Sequence, residues 1–132
     1  MDDRITNNPA SLKIRHYAAK YIIFEEGEAG NAAYIIRSGK VSIDSTNQSN
    51  NTQRWAVLGK GDIFGEMALF DDRPRMASAT ALTSVEAIRM SKEEFLERLA
   101  STDPAIMGMV LAMVTRVRNM TDEFLQQNEL SK

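Results

Sequence analysis

Glu66 and Arg75 stand within the stretch "GDIFGEMALFDDRPRMASAT", residues 61–80, and Gly65 immediately precedes the acid. An arginine grips phosphate oxygens through paired donors held in a planar fork. Gly65 lets the backbone pass tightly into "EMALF", one helical turn whose first N–H groups lack intrahelical partners and so favour an anion. A carboxylate beside a phosphate would repel it, so Glu66 is better suited to accept hydrogen bonds from sugar hydroxyls. Together the two side chains ask for a ligand that joins a phosphate to a ribose in one compact unit.

Rival chemistries find fewer parts. Asp71 and Asp72 are adjacent acids in a turn; they point different ways, have no third ligand near them, and read as turn formers. His16 is the single histidine, so neither a histidine metal cluster nor a nucleophilic triad can be assembled around it, and a place on a strand surface is expected. There are no cysteines, which removes disulfides, thiolate nucleophiles and zinc–cysteine sites. Metal and cofactor are both expected to be absent, and no enzymatic activity is expected. Arg73 reads as a solvated neighbour of Arg75, and Trp55 and Phe64 as core or pocket-wall aromatics.

The whole chain narrows the field further. Its 132 residues, 43% hydrophobic and 26% charged, fit one compact domain with an ordinary core. Sixteen basic against eighteen acidic residues give a net charge of -2, which offers no positive field for DNA or an acidic membrane, so direct nucleic-acid binding is not expected. The polar, acidic start "MDDRITNNPAS" lacks the pattern of a signal peptide, and a cytoplasmic location is expected. The longest mostly apolar run, residues 105–114, is too short for a membrane span, which needs about 20 residues.

The elements that must position Glu66 and Arg75 are mostly strands. After a polar segment at 1–13, residues 14–90 read as seven or eight short β-branched or aromatic runs cut by glycines, with turns at Gly27, Gly30 and Gly39. "DSTNQSNNTQ", residues 44–53, reads as a polar hairpin loop, and "RMASATALTS" and "VEAIRM" as two later strands. This is a mainly β chain, an antiparallel β-roll of the jelly-roll kind, with a short helix in the 64–78 stretch. From 91 to 132 the period becomes helical. Ser91 and Glu94 form a candidate capping box before a first helix, and Pro104 suits the opening turn of a long terminal helix running to about Leu130.

That last helix carries apolar residues over an arc of roughly 160°, wider than the ~100° stripe that docks on a single core. One edge can lie on the β-roll, while Met107, Val110, Val114, Val117 and Phe124 alternate by three and four like the seam of a homodimer. A helix buried deeply within one monomer is the simpler alternative. Thr121 falls inside the apolar arc, where a hydroxyl needs a hydrogen-bond partner.

The string "FGEMALFDDRPRMAS", residues 64–78, resembles the phosphate-binding cassette of cyclic nucleotide-binding domains, in which Phe-Gly-Glu and a small helical turn precede Arg, any residue, Ala, and Ser or Thr. The likeness extends upstream through "IIFEEGEAGNAAYIIRSGKVSI" and downstream into a lid or dimer helix. It implies that Glu66 meets the ribose 2'-hydroxyl and Arg75 the exocyclic phosphate oxygens. It also implies that backbone amides from Gly65 through Glu66 and Met67 to Ala68, and at Ala77, hold the ligand, with Phe64, Met76 and Ser78 completing the cassette. The family often has Ser or Thr after the arginine; Met76 departs from this and leans the expected ligand toward cyclic AMP over cyclic GMP. Likeness to the catabolite activator's final helix places Thr121 at the adenine contact, with Arg116 and Asp122 as weaker candidates. The resemblance implies a sensor that signals through its C-terminal helices; the alternative is a degenerate domain used only for assembly.

Overall fold

The computed structural model of this chain describes residues 13–46 and 49–130, with the backbone alone at 121, 122 and 124–130. It divides into two compact units, Met1–Lys92 and Glu93–Lys132.

Among the described residues, the first unit holds eight strands: β1 (Lys13–Tyr17), β2 (Ile22–Phe24), β3 (Ala32–Ser38), β4 (Val41–Thr46), β5 (Thr52–Leu58), β6 (Ile63–Phe64), β7 (Ser78–Ala81) and β8 (Val85–Ser91). They form two four-stranded sheets, in the orders β1-β8-β3-β6 and β2-β7-β4-β5, and every pairing is antiparallel. The expected β-roll is therefore present.

Period-two alternation decides which side chains meet between the sheets. On β3, Ala32, Tyr34 and Ile36 turn into the core; on β7, Ala79 and Ala81 do; on β8, Val85 and Ala87 do. Phe24 from β2 and Phe64 from β6 join them. Tyr34 and Phe64 stack with centroids 4.9 Å apart, and Phe24 lies 6.0 Å from each. The inward alanines leave room for these three rings, which close one end of the core beside the 64–78 stretch.

Two boundaries differ from the sequence reading. The loop expected over residues 44–53 is shorter, because β4 runs on to Thr46 and β5 begins at Thr52, with Asp44 opposite Arg54 and Thr46 opposite Thr52. Asp44 accepts hydrogen bonds from Ser42 Oγ at 2.8 Å and Arg54 Nε at 3.3 Å, so cross-strand pairing turns polar residues into strand. The strand expected across "RMASATALTS" is limited to Ser78–Ala81, because Arg75 and Met76 are held in irregular backbone before it. His16 is exposed on β1, 3.6 Å from Glu86. Trp55 is half-buried on β5.

The second unit contains most of α1 (Lys92–Ala100) and all of α2 (Pro104–Leu130). Ser91 ends β8, directly before α1. At the start of α2, Asp103 Oδ1 accepts the Ala105 N–H at 2.8 Å and Pro104 occupies the first helical position, where it has no N–H to leave unsatisfied. Met107, Val110 and Val114 are half-buried; Met109 (62%), Met113, Val117 and Met120 (60%) are exposed. Phe124 lies outside the described side chains. Among the described residues, no helix is long and apolar enough to cross a membrane.

Candidate functional site

Residues 64–78 lie in the first unit and leave β6 through a sharp reversal. Phe64 is buried in the core, and Gly65 follows at φ +74°, a left-handed conformation that side-chain-bearing residues adopt only with strain. That turn starts a 3-10 turn over Glu66–Leu69, in which the Ala68 N–H donates to Gly65 O at 3.3 Å and the Phe70 N–H to Met67 O at 3.0 Å. Ala68 and Leu69 anchor it by burial. Glu66 and Met67 are half-buried, and the Glu66 carboxylate makes no hydrogen bond or ion pair with the described residues.

The backbone then runs through Asp71, whose Oδ1 accepts the Arg73 N–H at 3.2 Å, to Arg75. Here the turn joining β2 to β3 takes hold of it. Gly27 N–H donates to Arg75 O and Arg75 N–H donates to Glu28 O, both at 2.8 Å. Three residues on, Ser78 Oγ accepts the Glu26 N–H at 2.9 Å. Ala77 between them is buried, so a larger side chain there would have no room.

The Arg75 side chain reaches back across the stretch to its opening. Nη1 donates to Gly65 O at 3.1 Å, Nη2 donates to Ala32 O at 2.9 Å, and Cζ lies 3.9 Å from the centroid of the Phe24 ring. Nε is buried and has no hydrogen-bond partner among the described residues. Burial pushes the Arg75 pKa below its ordinary value, while Tyr34, Glu28 and Glu66 act in the opposite direction. The group stays protonated, because an arginine does not deprotonate in a protein. The result is a partly desolvated cation whose Nε has no hydrogen-bond partner among the described residues, beside a glycine turn and within electrostatic reach of the Glu66 carboxylate.

Of the residues singled out in the sequence, Phe64, Gly65, Glu66, Met67, Ala68, Arg75, Met76, Ala77 and Ser78 thus share one continuous loop, closed on itself by the Arg75–Gly65 hydrogen bond. Arg116 is an exposed residue of α2 in the second unit. Thr121 and Asp122 are also on α2, and their side chains lie outside the described residues. Sequence reasoning missed Phe24, Ala32 and the 25–31 turn as partners of Arg75. No local pattern marks them, because they contribute a ring face, a carbonyl and a bend that any strand pair could contain. Among the described residues, no three of His, Cys, Asp and Glu are grouped to hold a metal ion.

The family profile described as the cyclic nucleotide-binding domain matches residues 14–102. A "CRP-like cAMP-activated global transcriptional regulator" of Mycobacterium tuberculosis is 34% identical over 105 residues, 80% of this chain and 46% of the regulator. A "cGMP-dependent protein kinase" of Plasmodium berghei is 34% identical over 121 residues, 91% of this chain and 13% of the kinase. Among solved structures, the catabolite activator protein of Thermus thermophilus superposes with a TM-score of 0.76 at 31% identity, covering 91% of this chain and 55% of that one. The cAMP-bound form of the EAL enzyme Bd1971 does so at 0.67 and 35%, covering 89% and 32%. The chain spans less than half the length of the first curated relatives it matches.

Proposed function

The chain belongs to the cyclic nucleotide-binding domain family, and we propose that it is a sensor that binds one cyclic nucleotide, cyclic AMP by preference, in the loop of residues 64–78. The observation that carries this reading is the state of Arg75: a partly desolvated guanidinium whose buried Nε has no hydrogen-bond partner among the described residues, drawn up against the glycine that opens the Glu66 turn. A cation stripped of water is stabilised most by an anion with several acceptors, and a cyclic phosphate supplies them. Glu66, whose carboxylate makes no hydrogen bond with the described residues, takes the ribose 2'-hydroxyl. The preference for cyclic AMP rests on Met76, which has no hydroxyl to offer the guanine amino group, and on Thr121 as the adenine contact.

The ligand acts as a signal, not as a substrate. Ligand binding is signalled through the C-terminal helix α2, so the nucleotide shifts a pre-existing equilibrium. Met107, Val110, Val114, Val117 and Phe124 form the seam through which two copies pair, and the exposed Met109, Met113 and Met120 support a second apolar partner for this helix. The domain is a non-enzymatic, cytoplasmic regulator that does not itself bind nucleic acid.

A calorimetric titration with cyclic AMP, cyclic GMP and AMP tests this. Saturable binding with cyclic AMP tightest is expected. No binding of any of the three by folded protein freed of carried-over ligand overturns the sensor reading and leaves assembly as the domain's role.

A further inference from the structure

The turn that joins β2 to β3 holds Arg75 in a way that gives one of its glycines a task of its own. Gly27 N–H to Arg75 O and Arg75 N–H to Glu28 O fix the arginine backbone against this turn. From that fixed start, the side chain has to pass over Gly30 to reach Gly65 O and Ala32 O. A Cβ at position 30 would stand 2.4 Å from Arg75 Nε, 2.6 Å from Cζ and 3.0 Å from Cδ, all far inside van der Waals contact. All three of its nearest neighbours would belong to Arg75.

The backbone does not account for the glycine. Gly27, Gly39, Gly61 and Gly65 have positive φ, whereas Gly30 is not among the residues with positive φ, so its conformation is open to an L side chain. What position 30 lacks is room, and the atoms that occupy the room are those of the guanidinium. Gly65 borders the same group, since a Cβ there would come within 2.9 Å of Nη1. Phe24 supplies an aromatic face at 3.9 Å.

We propose that Gly30 is a positioning residue for ligand binding: its bare Cα is the seat that lets the Arg75 guanidinium lie against Phe24 and face the nucleotide phosphate. This rests on the sensor reading for its ligand, but the seat itself is a property of the ligand-free chain. An alanine at 30 evicts the guanidinium, which is the flexible member of the contact, and leaves the strands in place. Binding falls while the β-roll persists.

The test is a double-mutant cycle with two readouts. For Gly30→Ala, affinity for cyclic AMP is expected to fall about tenfold or more. Gly30→Ala combined with Arg75→Ala should bind no more weakly than Arg75→Ala alone, because the seat acts only through its occupant. In the ligand-free protein, the Nε–H resonance of Arg75 should be distinct and protected from exchange in the parent and join those of exposed arginines in Gly30→Ala. An unchanged Nε–H resonance, or losses that add in the double variant, overturns the proposal. If Gly30→Ala folds poorly, removing the Arg75 side chain must restore stability; equal instability of the single and double variants also overturns it. A parent that binds no cyclic AMP defeats the sensor reading instead, and the Nε–H comparison still decides the seat.

Discussion

The guanidinium carbon of Arg75 lies 3.9 Å from the centre of the Phe24 ring, while its two terminal nitrogens hydrogen-bond the carbonyls of Gly65 and Ala32. A cation held over an aromatic face and two main-chain oxygens is oriented before any ligand arrives, which lowers the cost of ordering it on binding.

Removing that cation should therefore hurt binding more than any other single change in the loop. Loss of one member of a desolvated charge pair costs about 2 to 5 kcal/mol, so Arg75→Ala should weaken cyclic AMP binding on the order of 30- to several thousand-fold. Calorimetric titration measures it; an affinity equal to the parent's would disprove the role of Arg75.

Glu66 should matter less and in a different way. If its partner is the neutral ribose 2'-hydroxyl, Glu66→Ala should cost about 1 to 3 kcal/mol. The parent should also bind 2'-deoxy cyclic AMP more weakly than cyclic AMP, whereas Glu66→Ala should no longer distinguish the two. Discrimination that survives in the variant would place the 2'-hydroxyl elsewhere.

Tyr17 adds an alkaline limit to stability. Burial, reinforced by Tyr34, pushes its pKa up from 10.0 to about 12. The folded chain then holds the phenolic proton more tightly than the unfolded chain does, so this stabilisation is complete below about pH 10 and lost as pH rises toward 12. Denaturant midpoints of Tyr17→Phe should fall less steeply than the parent's over that range, and parallel curves would contradict the shift.

The terminal helix makes a prediction about assembly and one about signalling. If residues along Met107, Val110 and Val114 form the seam, Val110→Glu with Val114→Glu buries charge in it and should turn a sedimenting dimer into a monomer. Hydrogen exchange over residues 110–125 should slow when cyclic AMP binds. Unchanged protection in protein that binds would separate this helix from the signal.

Much of this protein was legible in its residues because the information is local. Alternation marked the strands, Pro104 marked the opening of α2, and Gly65, Glu66, Arg75, Ala77 and Ser78 in fixed order marked the family, because a turn, a carboxylate and a guanidinium must be spaced by the chain itself. The 44–53 loop was read too long for a related reason: the pairing of Thr46 with Thr52 and of Asp44 with Arg54 depends on a neighbouring strand, not on polarity. What only tertiary structure decided is where Arg75 rests. Ala32 is 43 residues away from it, and Gly30 and Phe24 are farther still. Gly30 looked like one more turn glycine, and only the packing of two sheets brings its bare Cα against the guanidinium. Short-range spacing selects the chemical groups, but the surface on which a charged group lies comes from contacts that exist only after the chain has closed.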